Sequence, residues 1–258
     1  MVKIFGTGLT GTIGIHLAKH GVEPLNFRNL DSVREQLTKA RQEFSVVHLA
    51  GVVGSAIGKL DESEIFEVNA HRTRRLFELS MECGGLRTFV FASSSHVYAR
   101  SNASLTEESE LGPASTYAMS KLLAEELLQT HPNSNKLTIA RIFSVLGLIG
   151  DRPGTLGHTA LEVLSGERVG PIGWGLDVRD FSSPAEIGYY LVRLAARDPA
   201  GVVNLASGES QTVHAAITSL ATTLGLQVQK GAFKMEHSSD PVRLANVEKL
   251  NSFFLDPR

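Results

Sequence analysis

The sequence predicts an α/β protein built on a doubly wound parallel sheet, with a small C-terminal lobe. Short apolar runs rich in β-branched residues alternate with stretches of helical spacing, which is the pattern of parallel strands and crossover helices. A glycine-rich turn separates the first strand from the first helix. Beyond residue 145 this alternation gives way to frequent Gly and Pro, as at 150–154. We therefore predict two domains, residues 1–145 and residues 146–258.

Composition limits the kind of partner. The 258 residues are 42% hydrophobic and carry a formal net charge of -2, which describes a globular chain with a large core. No block of like charge suggests a nucleic-acid surface or a membrane patch, and no run approaches the roughly 18 apolar residues of a membrane span. The apolar start is too short for a signal sequence. We expect a cytoplasmic protein with a small-molecule substrate and no nucleic-acid, membrane or metal partner.

The first strand, 2–5, is followed by a turn at 7–14 and a helix from residue 12 onward. Glycines recur at every third position of this turn: Gly8, Gly11 and Gly14. Such glycines permit a tight turn, a close approach of the backbone to a pyrophosphate and close packing of helix on strand. The turn is predicted to bind a dinucleotide; a plain glycine-rich turn is the alternative. The other turn residues assigned to the cofactor are Thr10, Thr12 and Ile13.

A second strand is predicted over 22–27, although Pro24 weakens that assignment. In a dinucleotide site the residue that ends this strand meets the adenosine ribose, where an acid favours a free 2′-hydroxyl and an arginine accommodates a 2′-phosphate. Arg28 stands at this position. It favours NADP(H) over NAD(H), with an ordinary exposed arginine as the alternative.

The remaining elements follow the same alternation. Strands are predicted over 46–51, 88–92, 137–143 and 202–205, the last of which rejoins the main sheet. Helices are predicted over 31–41, 61–82, 115–129, 156–164, 185–196 and 213–224. The continuous apolar run at 46–51 suits a sheet covered on both faces, and His48 within it is interpreted as a core histidine. Asn69, among apolar helix residues, is expected to bond the backbone of a neighbouring strand.

Tyr117 and Lys121 lie one turn apart in the helix predicted over 115–129, so they share a face. A phenol has an unperturbed pKa near 10 and exchanges protons poorly at neutral pH unless a nearby cation favours the phenolate. Lowering that pKa by about three takes roughly 4 kcal/mol. Lys121 in a partly dry cleft and a second cation, such as an oxidised nicotinamide ring, would supply it together. Taken alone, the pair is also typical of a surface contact.

With the glycine turn, the serine run 93–95 and the Tyr117/Lys121 pair in this order, the sequence resembles the extended short-chain dehydrogenase/reductase family. More closely, it is similar to the NAD(P)-dependent sugar-nucleotide epimerase/dehydratase branch. Comparable family segments fall at 49–51, 68–69, 179–181 and 204–209. The resemblance implies a Rossmann-type NAD(P)-binding domain and a small substrate-binding lobe. It also implies a homodimer in which the helices near 61–82 and 115–129 pair across a two-fold axis.

The resemblance further implies residue roles. Tyr117 is the general acid/base, Lys121 holds the nicotinamide ribose and lowers the pKa of Tyr117, and Ser94 hydrogen-bonds the reacting oxygen. The cofactor cleft also contains Leu49, Ala50, Gly51, Asn69 and Phe143. The substrate site contains Ser94, His96, Ser144 and Arg179.

Departures from the family pattern affect the predicted reaction. In the 4,6-dehydratases of this branch an Asp-Glu pair follows the catalytic Thr, whereas Ser95 and His96 follow Ser94 here. Dehydration is thereby disfavoured. His96 is either a proton carrier, since its ordinary pKa lies near neutrality, or a structural histidine at the strand end.

The substrate lobe also departs from the pattern. Ser144 stands where family members often have an Asn that contacts the nucleotide diphosphate. Arg179 resembles an arginine that pairs with that diphosphate, and a salt bridge to Asp177 or Glu186 is the alternative. Trp174 either stacks on a base or sugar or simply packs.

The function predicted from these features is hydride transfer on a nucleotide-activated sugar, by an NAD(P)-dependent 4-epimerase or 4-keto reductase. Overall similarity favours the epimerase, and Arg28 favours the reductase. The alternatives are a non-catalytic cofactor-binding or sensing module of the same fold and a reductase of a non-nucleotide carbonyl compound.

Overall fold

The computed structural model describes residues 2–40, 42–53, 60–147 and 156–255. The Gly- and Pro-rich stretch at 150–154 and residue 41, the predicted end of the second helix, lie outside these residues. The described strands are β1 Lys3–Thr7, β2 Glu23–Pro24, β3 Phe44–His48, β4 Leu86–Ser94, β5 Ser104–Leu105, β6 Leu137–Ile142, β7 Ser144–Val145, β8 Val178–Ser182, β9 Gly201–Leu205, β10 Ser210–Thr212 and β11 Val242–Ala245. The described helices are α1 Gly14–Lys19, α2 Leu30–Thr38, α3 Glu62–Phe66, α4 Arg72–Glu82, α5 Thr116–Gln129, α6 Leu156–Leu164, α7 Pro184–Ala195, α8 Val213–Thr223 and α9 Glu248–Leu255.

The main sheet has six parallel strands in the order β2-β1-β3-β4-β6-β9. The predicted doubly wound sheet is thus confirmed. The order in which strands are added to the sheet reverses beside β1, because β2 lies on one side of that strand and β3 on the other. Ligands of open α/β sheets bind at such a switch point, outside the carboxyl ends of the strands.

Apolar clusters cover both faces of the sheet because successive strand residues point to opposite sides. Phe89 and Val46 face the cluster under α2, α4 and α5. Val90 and Val47 face the opposite cluster, under α1, α7 and α9. These strands read as continuous apolar runs because they are buried on both faces.

Several predicted boundaries are corrected. The second strand covers only Glu23–Pro24 of the predicted 22–27 and lies at the sheet edge, where a residue without an N–H is tolerated. The third strand ends at His48 rather than at residue 51, so 49–51 form a loop. The predicted helix 61–82 is interrupted at Glu67–His71 by a π-helical turn.

A second sheet, in the order β10-β8-β11-β5 with β7 beside β8, was not predicted. Its strands are short and carry charged residues such as Arg179, Asp180 and Arg243, so the apolar alternation that signals a strand is missing. It lies close to the carboxyl end of the main sheet, because β7 follows β6 almost directly. In the described part of the chain, every helix is too short or too polar to cross a bilayer.

Replacement of Leu191 tests the packing of α7 on the sheet. This side chain is fully buried, so Leu191→Ala removes apolar contacts and leaves a cavity. We expect a loss of about 2–5 kcal/mol in the free energy of unfolding, measured by urea denaturation. Val169→Ala, at a fully exposed position, is the control and is expected to change stability by less than about 0.5 kcal/mol.

Candidate active site

The segments that carry most of the predicted site residues follow the carboxyl ends of β1, β3 and β4. Thr7 ends β1, His48 ends β3 and Ser94 ends β4. The glycine turn follows β1 directly, and the loop 49–52 follows β3. The chain therefore lines one edge of the sheet with segments that are far apart in sequence.

The glycine turn fits closely against its neighbours. Gly8 has a φ of 72°, in the left-handed region that favours glycine, and a Cβ there would lie 2.7 Å from the Ala50 backbone nitrogen. A Cβ on Gly14 would lie 2.1 Å from the Gly8 carbonyl oxygen. Gly11 N–H donates to that same oxygen over 3.0 Å. Side chains at these positions would push the turn away from both α1 and the loop after β3.

His48 holds the loop after β3 against β1. Its Nδ1 lies 2.6 Å from Thr7 Oγ1, and its Nε2 lies 2.8 Å from Thr73 Oγ1. Thr7 Oγ1 also accepts the Ala50 N–H over 3.2 Å. Burial and, to a smaller extent, the charge of Lys121 together lower the pKa of His48 to about 3. The interpretation of His48 as a core histidine is confirmed.

Asn69 fastens the other end of this loop. Its side-chain oxygen accepts the Val52 N–H over 2.7 Å, and its nitrogen donates to Val52 O and to Ser120 Oγ. Asn69 bonds backbone as predicted, but that backbone belongs to Val52 in the loop after β3 and not to a strand. A Cβ on Gly51 would be 2.9 Å from Asn69 Oδ1 and 3.7 Å from Lys121 Nζ. The π-helical turn thus brings the loop against the helix that carries Lys121.

Tyr117 and Lys121 face the end of β4 from α5. Ser115 caps this helix by accepting the Ala118 N–H over 3.2 Å. Lys121 is only 3% exposed, and its Nζ donates to Ala92 O over 2.9 Å. Burial lowers the pKa of Lys121 to about 8, while Glu125 opposes that shift. The pair is therefore not a surface contact.

Ser94 completes the catalytic group predicted from the sequence. It is buried, its Oγ accepts the His96 N–H over 3.3 Å, and it lies close enough to the Tyr117 phenol to influence its pKa. Burial raises the pKa of Tyr117, and Ser94 opposes the rise. Lys121 Nζ lies 6.0 Å from the centre of the Tyr117 ring and donates to a carbonyl. That Lys121 and a second cation together lower the pKa of Tyr117 stays a prediction.

A buried ion pair lies one turn beyond Lys121 and was not predicted. Glu125 and Arg141 meet over 2.7 Å, and their side chains are 1% and 4% exposed. Ser93 Oγ donates to the same carboxylate. Since Ser93 and Arg141 lie side by side on β4 and β6, the pair joins α5 to both strands. The sequence signal for this carboxylate was the i, i+4 spacing of Lys121 and Glu125, which places both side chains on the same face of α5.

Three other predicted residues lie around this edge. Arg28 is exposed just after β2, and its N–H donates to Asn26 Oδ1 over 3.2 Å. Phe143 is buried beside Tyr98, with 6.3 Å between the ring centres. Ser144 begins β7 and is half-buried.

Arg179 forms the salt bridge that was the alternative to diphosphate binding. Its Nη2 lies 3.0 Å from Asp177 Oδ2, and its guanidinium also donates to the carbonyls of Val178 and Asp240. Glu186 instead accepts from the Tyr190 hydroxyl.

Arg243 is a second cation of the cleft, and it was not predicted from the sequence. It is 4% exposed, lies beside Arg179 across β8 and β11, pairs with Asp240 over 2.6 Å and donates to Ser95 O. His96 is exposed at this mouth. Its partial enclosure lowers its pKa, and Arg243 lowers it further, so His96 is neutral at pH 7. Only the tertiary pairing of β11 with β8 brings Arg243 here.

Trp174 lies beside the second sheet and is 37% exposed. Lys234 Nζ sits 4.3 Å from the centre of its ring. In the described residues, His, Cys, Asp and Glu side chains form no group of three or more arranged to hold a metal ion.

A doubly wound sheet with a glycine turn at its switch point and a Ser-Tyr-Lys group at the strand ends defines the extended short-chain dehydrogenase/reductase class. The chain belongs to the NAD dependent epimerase/dehydratase family, whose sequence profile matches residues 7–206. The resemblance inferred from the motifs is thus confirmed, and the protein is an enzyme of this family.

Similar proteins agree with this assignment. The chain is 28% identical to the "Uncharacterized UDP-glucose epimerase YtcB" of Bacillus subtilis (strain 168), in an alignment 222 residues long that covers 70% of this chain and 68% of the other. MoeE5 in complex with UDP-glucose and NAD shares the fold, with 24% identity, a TM-score of 0.78 and coverage of 97% of this chain and 91% of that one. RMD from Pseudomonas aeruginosa complexed with NADPH shares it at 22% identity and a TM-score of 0.80, with 98% and 92% covered.

The buried pair beneath Lys121 makes a testable contribution to stability. Glu125→Gln leaves Arg141 as an unpaired buried charge, so we expect a loss of about 3–5 kcal/mol in the free energy of unfolding, measured by urea denaturation. Glu35→Gln, which removes an exposed carboxylate paired with Lys39, is the control and is expected to have little effect. An equal, small effect of both substitutions would contradict this account.

Proposed function

We propose that this protein is an NAD(P)-dependent epimerase or keto-reductase that acts on a nucleotide-activated sugar, with Tyr117 as general acid/base. The observation that carries the proposal is the convergence of Ser94, at the end of β4, with Tyr117 and the buried Lys121 of α5. The glycine turn lies at the same edge of the sheet. The relatives' printed names support a nucleotide sugar, since one is a UDP-glucose epimerase and another is in complex with UDP-glucose.

The close-fitting glycine turn suits the residues assigned to the cofactor. Gly8, Gly11 and Gly14 leave backbone without side chains at the switch point, and the loop containing Ala50 and Gly51 faces them. A nicotinamide cofactor held there would accept hydride from a carbinol carbon or donate it to a keto carbon. In this proposal residues 1–145 bind the cofactor, and residues 146–258 contribute the substrate lobe.

Ser94 and Tyr117 are the groups that hold the reacting oxygen. Ser94 lies beside the phenol, so a substrate oxygen that bonds both hydroxyls lies within proton-transfer reach of Tyr117. Because burial raises the pKa of Tyr117, its phenolate requires a cation. Lys121, held in a fixed position by Ala92 O, and an oxidised nicotinamide ring would meet this requirement together.

Dehydration is disfavoured by the residues next to Ser94. Ser95 is buried, with its carbonyl bonded by Arg243, and His96 follows. Neither provides the carboxylates that eliminate water in the 4,6-dehydratases. Arg179 and Arg243 lie beside each other on the second sheet, close to His96. In this proposal they would face the diphosphate of the substrate. Arg179 would then bind both the diphosphate and Asp177.

Replacement of Tyr117 tests the general acid/base. Tyr117→Phe removes the phenol and keeps the ring, so kcat on an identified nucleotide sugar is expected to fall about 10²–10⁴-fold. Cofactor affinity should change little. Tyr189→Phe, at an exposed tyrosine on α7, serves as the control. Full activity of Tyr117→Phe would remove the proposed role, and no turnover by the wild type on any sugar nucleotide would favour a binding or sensing module.

Cofactor handling distinguishes the two reactions. An epimerase regenerates its bound NAD+ in each cycle, whereas a reductase consumes NADPH stoichiometrically. Absorbance at the reduced-nicotinamide band, followed with a panel of nucleotide sugars, measures this directly. Net NADPH consumption is expected for the reductase favoured by Arg28, and retained NAD+ without net consumption would exclude it.

A further inference from the structure

Arg72, the first residue of α4, is anchored to the segment that follows β2. Its Nε donates to Phe27 O over 2.8 Å, and its guanidinium carbon lies 5.3 Å from the centre of the Phe27 ring. Only Nε is engaged in that bond. The two terminal nitrogens of the guanidinium fork remain beside Phe27, on a half-buried side chain.

The ion pairs of α4 set Arg72 apart from its neighbours. Arg74 pairs with Glu78, and Arg75 pairs with Glu78 and Glu82. In contrast, within the described ranges of the chain no carboxylate forms an ion pair with either Arg72 or Arg28. The His48 ring, whose centre lies 4.6 Å from that of the Phe27 ring at an interplanar angle of 56°, is neutral and adds no counter-charge.

The place of these two arginines in the fold identifies the kind of anion. Leu25 N–H donates to Gly6 O over 2.7 Å, so the chain leaves the main sheet just after this residue. Phe27 and Arg28 lie two and three residues further on, just beyond the end of the strand, where a bound dinucleotide presents its adenosine ribose. Arg72 is therefore bonded to the carbonyl of Phe27, and Arg28 is the next residue along the chain.

We propose that Arg72, together with Arg28, binds the 2′-phosphate of an adenosine 2′-phosphate dinucleotide, NADP(H). A planar fork with free N–H groups matches phosphate oxygens better than a point charge does, and the bond to Phe27 O holds Arg72 in place before binding. This inference rests on the proposed cofactor site. It adds a residue on α4 to the single arginine that the sequence pattern indicated.

Calorimetric titration of the wild type and of Arg72→Met with NADP+, NAD+, 2′,5′-ADP and 5′-AMP tests the proposal without any substrate. The substitution is expected to weaken NADP+ and 2′,5′-ADP at least about tenfold, because a charge-assisted hydrogen bond is lost. Affinity for NAD+ and 5′-AMP should change less than about twofold. Arg75→Met removes an arginine of the same helix that is already paired, and should leave all four affinities unchanged.

A second variant keeps the test decisive if Arg72→Met fails to fold. Arg72→Gln retains a donor for Phe27 O while removing the charge, and should give the same selective loss. Unchanged NADP+ affinity, or equal loss for both dinucleotides, would overturn the role of Arg72. A wild type that binds NAD+ but not NADP+ would overturn this inference and leave the proposed function standing. Binding of neither dinucleotide would overturn both.

Discussion

The docking of α5 on the end of β4 is the constraint on which the site depends. Lys121 donates to Ala92 O, and Glu125, one turn later, accepts from Ser93. These two bonds join α5 to consecutive residues of β4, immediately before Ser94. Arg141 pairs with Glu125 from β6, so the helix cannot slide along the sheet without separating a buried ion pair. This arrangement fixes the position of Tyr117, on α5, relative to Ser94, at the end of β4.

A second set of buried polar contacts shapes the opposite wall of the cleft. Thr7, His48 and Thr73 form a chain of hydrogen bonds through the core, and Thr7 also holds Ala50. Asn69 holds Val52 from the π-helical turn. Because every one of these side chains is buried, each bond avoids the cost of an unsatisfied polar group. The loop between the glycine turn and Lys121 is therefore fastened at both ends.

The cleft combines a dry interior with charged residues at its mouth. Burial lowers the pKa of Lys121 and raises that of Tyr117, so both groups are shifted toward their neutral forms. At the mouth, Arg179 and Arg243 each have a carboxylate partner, and they lie beside each other. A positive charge entering with a cofactor would favour the phenolate, and an anionic substrate would compete for the arginines. The chemistry thus depends on what binds as much as on the protein's own groups.

The sequence alone determined the main sheet, the glycine turn, the core histidine and the order of Ser94, Tyr117 and Lys121, because these features have local signals. Apolar runs mark strands, glycine spacing marks the turn, and the i, i+4 spacing of Tyr117 and Lys121 marks a shared helix face. Only the tertiary structure decided the second sheet and the position of Arg243, because short charged strands form there by pairing with each other rather than by burying an apolar face. The direction in which the pKa of Tyr117 shifts was also decided by the tertiary structure, because burial depends on every segment that surrounds the phenol.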